Sequence, residues 1–186
     1  KEHVEQLENR ITEIRNAFRD IVGNYPVNLS SNDHISCILY GGTITITDKI
    51  PIGQFKTGKK VGEIRYKNID KHFEFPKLVE PLEKTEVAKP EGSQPYWKVN
   101  EDVLQSLKGG KTVNKLISLI SEYRKVTKLQ NTYLLGWSNL IDEMHWEPDT
   151  IHGQFNQCVA VTGRLSSSKP NQQNADSMTK LFMETR

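Results

Sequence analysis

The most chemically loaded stretch of this sequence is TGRLSSSKPNQQN, residues 162–174. It sets Arg164, Ser166, Ser167, Ser168, Lys169, Asn171, Gln172, Gln173 and Asn174 almost side by side, with little that is apolar between them. There is no hydrophobic periodicity to bury these donors. The stretch is therefore either a solvated loop or a surface shaped for something rich in acceptors, such as a phosphate backbone. The other groups that could do chemistry are dispersed. His3, His34, His72, His145 and His152 show no metal-ligand spacing. His145 and His152 read as packing or hydrogen-bonding residues. Asp142, Glu143, Glu147 and Asp149 lack periodic placement and read as a solvated acidic loop rather than a cation site.

Two short motifs suggest catalysis and fail on their context. Gly109-Gly110-Lys111-Thr112 has the end of a phosphate-cradling loop. The first glycine of that loop would fall on Gln105, and no strand precedes it. Ser166-Ser167-Ser168-Lys169 matches the S-x-x-K of serine acylases, and Lys56-Thr57-Gly58 their K-T-G. The order is reversed and no S-D-N element is present, and a serine in an apparent loop has no lysine held against its hydroxyl.

Positioning any of these residues takes a core. The chain has 186 residues, 35% hydrophobic and 26% charged, which suits one domain or two small ones. Its net charge is only +2, so any basic footprint is local. Lys108, Lys111, Lys115, Arg124, Lys125 and Lys128 face Glu122 alone in their stretch, and a second basic cluster runs from Lys56 to Lys71. Cys37 and Cys158 make no disulfide framework or CxxC, which predicts a reduced, cytoplasmic setting. No apolar run approaches the roughly 20 residues that cross a bilayer, so no membrane partner is expected. The first residues already read as helix, which suggests a piece of something longer.

The periodicity then places elements. Val4, Leu7, Ile11, Ile14, Phe18 and Ile21 form one stripe of a helix that Gly23 stops. Ser30 predicts the cap of a second helix, with Asp33 completing a capping box, and Gly41-Gly42 ending it. Free N–H groups at that start, beside Ser30, Ser31 and Asn32, would suit a phosphate. Residues 43–98 change character. ITITDKIPIG alternates like a strand, but the glycines and prolines that follow predict an irregular insertion of short strands and long loops without its own core. Its basic part fits either an acidic partner or a solvated charge run. Asn100 predicts a cap for a short helix ending at Gly109-Gly110. A long helix over 112–135 follows, with Val113, Leu116, Ile117, Ile120, Tyr123 and Thr127 or Leu129 toward the core. A short helix or turn holds Trp137 to Met144, and the chain looks extended from Ile151.

Two segments carry a family pattern. Thr127-Lys128-Leu129-Gln130-Asn131-Thr132-Tyr133 is followed by His152-Gly153-Gln154-Phe155-Asn156-Gln157 and then by Thr162 to Asn174. In order and spacing this resembles the family A DNA polymerases, the bacterial polymerase I class. Those show Thr-Lys-Leu-x-x-Thr-Tyr late on a long thumb helix, then His-x-x-Phe-Asn-Gln and Thr-Gly-Arg-Leu-Ser-Ser-Ser-x-Pro-Asn-Leu-Gln-Asn. VNLSSNDHISCILYGG looks like the family's thumb segment, and the likeness spans about 1–42 and 100–174. The Gln-Cys-Val-Ala-Val form and the insertion look phage-like. Gln172 and Ala175-Asp176 depart from the pattern, which usually has Leu and Ile-Pro there.

The resemblance implies an α+β, mainly helical fold. Long antiparallel thumb helices would fill 1–42 and 99–150, an irregular short-stranded insertion 43–98, and the first antiparallel strands of the palm 151–186. It implies a fragment or split half of a DNA-directed DNA polymerase that grips primer–template duplex during replication. The alternative is a non-catalytic duplex-binding module derived from one. Arg164 would read minor-groove acceptors near the primer end, with Asn171, Gln173 and Asn174 beside it. Ser166, Ser167 and Ser168 would donate to template phosphates. Lys128, Asn131 and Thr132 would touch backbone and minor groove, and Ser30, Ser31 and Asn32 a phosphate farther back. The family's Mg²⁺ ligands lie in Asp-x-Ser-x-x-Glu and His-Asp-Glu motifs that this sequence does not contain. No metal ligand or catalytic residue is therefore assigned here, and the chain alone is expected to be inactive. Expected partners are duplex DNA, the remainder of the palm and fingers, and a processivity partner on 43–98; the expected setting is the bacterial cytoplasm, of an infected cell if the origin is a phage.

Overall fold

The computed structural model describes residues 2–148, 150–157, 159, 162–171 and 173. In chain order they form helix α1 (Glu2–Val22), α2 (Asn32–Tyr40), strands β1 (Gly42–Gln54) and β2 (Ile64–Phe75), short strands β3 (Glu86–Val87) and β4 (Tyr96–Trp97), α3 (Glu101–Ser106), α4 (Lys111–Lys128), a π-helical turn (Leu129–Leu135), α5 (Gly136–Glu143), β5 (Gln154–Asn156) and β6 (Ser166–Ser168). The sheets are three separate antiparallel pairs, β1–β2, β3–β4 and β5–β6. The fold is thus α+β, as expected. No helix among the described residues is long and apolar enough to cross a membrane. The chain divides into two compact units, Arg15–Ser121, and Lys1–Ile14 with Glu122–Arg186.

In the Arg15–Ser121 unit, α2 is buried on every side from Ile35 to Tyr40. Such a helix has no polar face and must be wrapped. Residues 76–99 do the wrapping. The Leu39 carbonyl accepts from the backbone N–H groups of Leu78 and Val79, each at 3.0 Å. The Ser36 hydroxyl accepts from the Trp97 N–H at 2.9 Å, and the Trp97 and Tyr40 rings meet edge to face at 5.6 Å. Gln94 reaches back to the start of β1, accepting from the Thr43 N–H at 2.8 Å and donating to the Thr43 carbonyl at 2.6 Å. Cys37 lies beneath it and takes a further Gln94 N–H at 3.4 Å, and burial pushes its thiol above the usual range. Residues 43–98 therefore share the core of α2. Val99, Leu104, Val113, Leu116 and Ile120 complete the buried set supplied by the following helices.

The expected short strands are corrected here. β1 and β2 run 13 and 12 residues and pair from Gly42↔Phe75 out to Gln54↔Ile64. At about 3.3 Å per residue this is an arm of roughly 40 Å. Only its base is buried: Ile44 and Phe75 are in the core, and Tyr25 meets the Phe73 and Phe75 rings edge to face at 5.7 and 5.2 Å. Pro51 and Gly53, which read as loop punctuation, are absorbed by a bulge. Pro51 pairs with Tyr66 and Gly53 with Arg65, leaving Ile52 as the extra residue. Gly58 and Gly62 turn the tip at φ +86° and +88°.

Smaller corrections concern boundaries. The α2 cap is Ser31, one residue later than expected; its hydroxyl accepts from the His34 N–H at 3.4 Å. Asn100 precedes α3 without a side-chain cap bond, and that helix ends at Ser106 rather than at the glycines. The long helix is α-helical only to Lys128, and its continuation to Leu135 is π-helical. Ser166–Ser168, read as loop, is strand β6.

Core and arm should respond differently to truncation. Leu116→Ala, at a fully buried position, is expected to cost about 2–5 kcal/mol. Ile50→Ala, on the exposed arm, should stay within about 0.5 kcal/mol. Urea unfolding of both variants checks this, and equal losses would contradict the packing described.

Candidate nucleic-acid interface

The second unit presents its polar residues on two pieces. The first is the helical stretch after Glu122. It packs against the start of α1 in opposite directions: Arg10 bonds Glu122 at 2.6 Å, while Glu8 accepts from the Gln130 amide at 3.3 Å. Leu7 and Trp137 pack on buried Leu129 and Tyr133, and the Tyr133 and Trp137 rings meet edge to face at 5.5 Å. Leu129, Tyr133 and Trp137 are spaced by four. Such spacing keeps side chains on one face of a helix. The turn they begin on is π-helical, with wider i→i+5 bonds. The Gly136 N–H reaches the Asn131 carbonyl in this way. A Cβ on Gly136 would lie 3.1 Å from that oxygen. The apolar spacing here is that of an ordinary α-helix, so the periodicity carried no signal for the π turn. With the apolar side fixed, Lys128, Asn131 and Thr132 lie on the other, and all three are exposed.

The second piece is the β5–β6 corner. Ser168 pairs with Gln154, Ser167 with Phe155 and Ser166 with Asn156. Gly163, at φ +71°, turns the chain just before Arg164. The corner fastens itself. The Ser167 hydroxyl, 6% exposed, donates to the Pro170 carbonyl at 3.2 Å. The Asn156 amide donates to the Ser168 hydroxyl at 2.9 Å. Gln173 donates its side-chain amide to the Leu165 carbonyl at 3.0 Å and its N–H to the Asn171 side-chain oxygen at 3.2 Å. These bonds leave Arg164 exposed, and among the described residues it has no ion-pair partner. Asn171 is exposed and Ser166 half-buried. Asn174 lies outside the described residues. His152 packs edge to face on Trp146 at 5.2 Å, the packing role expected of it.

Ser30, Ser31 and Asn32 belong to the other unit. The Ser30 N–H donates to the Asn28 side-chain oxygen at 2.9 Å, and Ser31 caps α2. This helix start already carries an anion. Asp33, in its first turn, is held by Lys89 at 2.9 Å. His34 Nδ1 accepts from the Asn28 N–H at 3.1 Å, a bond that needs the neutral ring. Burial lowers the His34 pKa from 6.5, against a smaller opposing pull from Asp33.

Comparison with known proteins gives the class. The chain belongs to DNA polymerase family A, whose family model matches residues 67–186. It is similar to the thermostable DNA polymerase I of Thermus filiformis, 37% identical over 86 residues, which are 46% of this chain and 10% of that protein. It is similar to the thermostable DNA polymerase I of Thermus aquaticus, 38% identical over 84 residues, 45% of this chain and 9% of that one. DNA polymerase I of Bacillus subtilis (strain 168) is 36% identical over 78 residues, 42% of this chain and 8% of that protein. The chain thus covers a tenth or less of each of these relatives. Family A polymerases are metal-dependent. Among the described residues no group of three or more His, Cys, Asp or Glu could hold a metal ion.

The His34 geometry fixes a pH response. A lowered folded pKa means that the unfolded chain takes up the proton first as the pH falls below 6.5. The contribution is present in full above 6.5 and is lost as pH falls through the folded value. The melting temperature of the parent should therefore fall more steeply below pH 6.5 than that of His34→Gln, whose amide still accepts from Asn28. Parallel curves would show that His34 is not the group responsible.

Proposed function

We propose that this chain grips primer–template duplex for a family A DNA-directed DNA polymerase. Residues 1–42 and 99–150 would be its thumb helices, 43–98 an insertion in the thumb, and 151–186 the start of its palm. The observation that carries the reading is Arg164, exposed on a corner that Ser167 and Gln173 fasten with their own hydrogen bonds. A duplex offers purine N3 and pyrimidine O2 acceptors in its minor groove at every base pair. A polymerase must accept any sequence yet sense a wrong pair at the primer end. A guanidinium donating to those acceptors does both, because a mismatch moves them.

In this reading Ser166, Ser168 and Asn171 donate to sugar and phosphate oxygens beside Arg164, and Asn174 extends the same contact. Ser167 and Gln173 hold the corner in shape, since their side chains already bond within it. Lys128, Asn131 and Thr132 contact the duplex backbone from their exposed helix face. Ser30, Ser31 and Asn32 hold a phosphate farther along, with Lys89 close by to offset Asp33. Phosphates supply most of the affinity, so binding should weaken steeply with salt and show no sequence preference. The two-metal chemistry of the whole enzyme belongs to residues other than those described here. Its setting would be the bacterial cytoplasm, in an infected cell if the protein is phage-encoded.

Two outcomes are expected. With Mg²⁺ and deoxynucleotides, the purified chain should give no primer extension; extension after rigorous purification would refute this. In anisotropy titrations on a recessed primer–template, Arg164→Ala should weaken binding roughly tenfold, the lower end of what a good base-edge contact provides. It should also abolish the preference for a matched over a mismatched terminus. If Lys77→Ala, outside the corner, changes both quantities as much as Arg164→Ala, the placement of Arg164 is wrong.

A further inference from the structure

We propose that the outer half of the β1–β2 hairpin, residues 49–67, is a second duplex-DNA contact: a basic ribbon that lies along a groove with its cations on the phosphates. This rests on the reading that the chain meets duplex DNA, but on none of the residues of the Arg164 corner. The charge distribution is the first observation. Lys49, Lys56, Lys59, Lys60, Arg65 and Lys67 stand in this segment against Glu63 alone, an excess of five on a chain whose total is +2. The remainder of the protein therefore sums to a net negative charge, and the arm is one of its two strongly basic stretches, with 108–128.

The second observation is that these cations are uncommitted. Lys56, Lys59, Lys60, Arg65 and Lys67 are exposed, and among the described residues none of the six has an ion-pair partner. Nearer the base the charges are engaged: Asp48 pairs with Lys71 at 2.7 Å, and Asp70 accepts from the Thr47 hydroxyl. The third is shape. The tip is closed by backbone bonds, Phe55 N–H to the Glu63 carbonyl at 3.0 Å and Gly62 N–H to the Phe55 carbonyl at 3.1 Å. It holds Lys56, Lys59 and Lys60 at the end of an ordered two-stranded ribbon, an element that a major groove about 12 Å wide admits.

The arm also exposes Ile50, Ile52, Val61, Ile64 and Tyr66, which raises a protein partner as the competing occupant. The register argues against it. Lys67 lies opposite Ile50, Arg65 opposite Gly53, and Lys49 two residues before Pro51 on the face that Pro51 shares with Tyr66. An apolar contact on the arm would bring these cations into or beside the interface, and protein interfaces are depleted of charge at their centres. A duplex supplies a phosphate for each.

The test uses the full chain and a labelled blunt duplex, which has no recessed primer end, titrated by anisotropy at rising salt. Three variants are compared with the parent. The arm variant combines Lys56→Gln, Lys59→Gln, Lys60→Gln, Arg65→Gln and Lys67→Gln. A control combines Lys77→Gln and Lys84→Gln, and an apolar variant combines Ile50→Thr, Ile52→Thr and Val61→Thr. Every substituted side chain is exposed, and circular dichroism verifies that each variant folds. The arm variant should bind at least about tenfold more weakly, and its log K against log salt should flatten by about 0.9 for every phosphate it no longer neutralises. The control and the apolar variant should bind like the parent. The arm proposal is overturned if the arm variant retains parental affinity and slope, or if the control loses as much. It is equally overturned if the apolar variant loses most, or if only single-stranded DNA senses the arm. Parental affinity in the arm variant together with a loss in Arg164→Ala sinks this inference alone. A parent that binds no duplex sinks it together with the proposed function.

Discussion

The first unit depends on one constraint: α2 has no face fit for water. Every residue from Ile35 to Tyr40 is buried, so the helix must be enclosed. The chain meets this by leaving α2 through Gly41, at φ +82°, and running out and back along the hairpin. It then lays residues 76–99 over the helix, bonding to the Leu39 carbonyl and the Ser36 hydroxyl. The hairpin is a consequence of this wrap. Its base is anchored by Ile44, Phe75 and Tyr25, while every residue of its outer half, 49–67, is exposed. An element held rigidly at one end and left bare at the other is suited to meeting another molecule, and the charge it carries points to a polyanion.

The other unit solves a different problem. Its helical stretch keeps Leu129, Tyr133 and Trp137 packed on one side, and over Leu129–Leu135 it is π-helical. Gly136 leaves room for the wider turn, its N–H reaching the Asn131 carbonyl. The apolar side is packed, and the exposed side presents Lys128, Asn131 and Thr132. The β5–β6 corner follows a similar logic. Ser167 and Gln173 commit their hydrogen bonds to the corner itself, which defines the position of a lone arginine. The run of donors at 162–174 thus divides into residues that shape and residues that present.

Much of the helical fold was legible along the chain, for a plain reason. Apolar spacing of three and four has a single solution for a chain that must bury one stripe, so α1 and α4 with their buried Ile11, Ile14, Phe18, Val113, Leu116 and Ile120 followed from it. The motif order around Thr127–Tyr133 and Thr162–Asn174 pointed to the family to which the chain belongs. The hairpin was not legible as a long element. Pro51, Gly53, Gly58 and Gly62 are loop formers by local preference. Only cross-strand pairing over the whole length of β1 and β2 outweighs that preference, and such pairing is a non-local energy.

What the sequence determined by itself is therefore everything set by nearest neighbours and periodicity: the helices, the glycine stop at Gly23, the identity of the donors at 162–174 and the family. What only the tertiary structure decided is which of those donors face outward. Whether Ser167 meets solvent or the Pro170 carbonyl, and whether the cations of 49–67 are paired or bare, depends on how the chain folds back on itself. Hydrogen bonds and ion pairs are settled by distance in space, and one-dimensional spacing does not contain it.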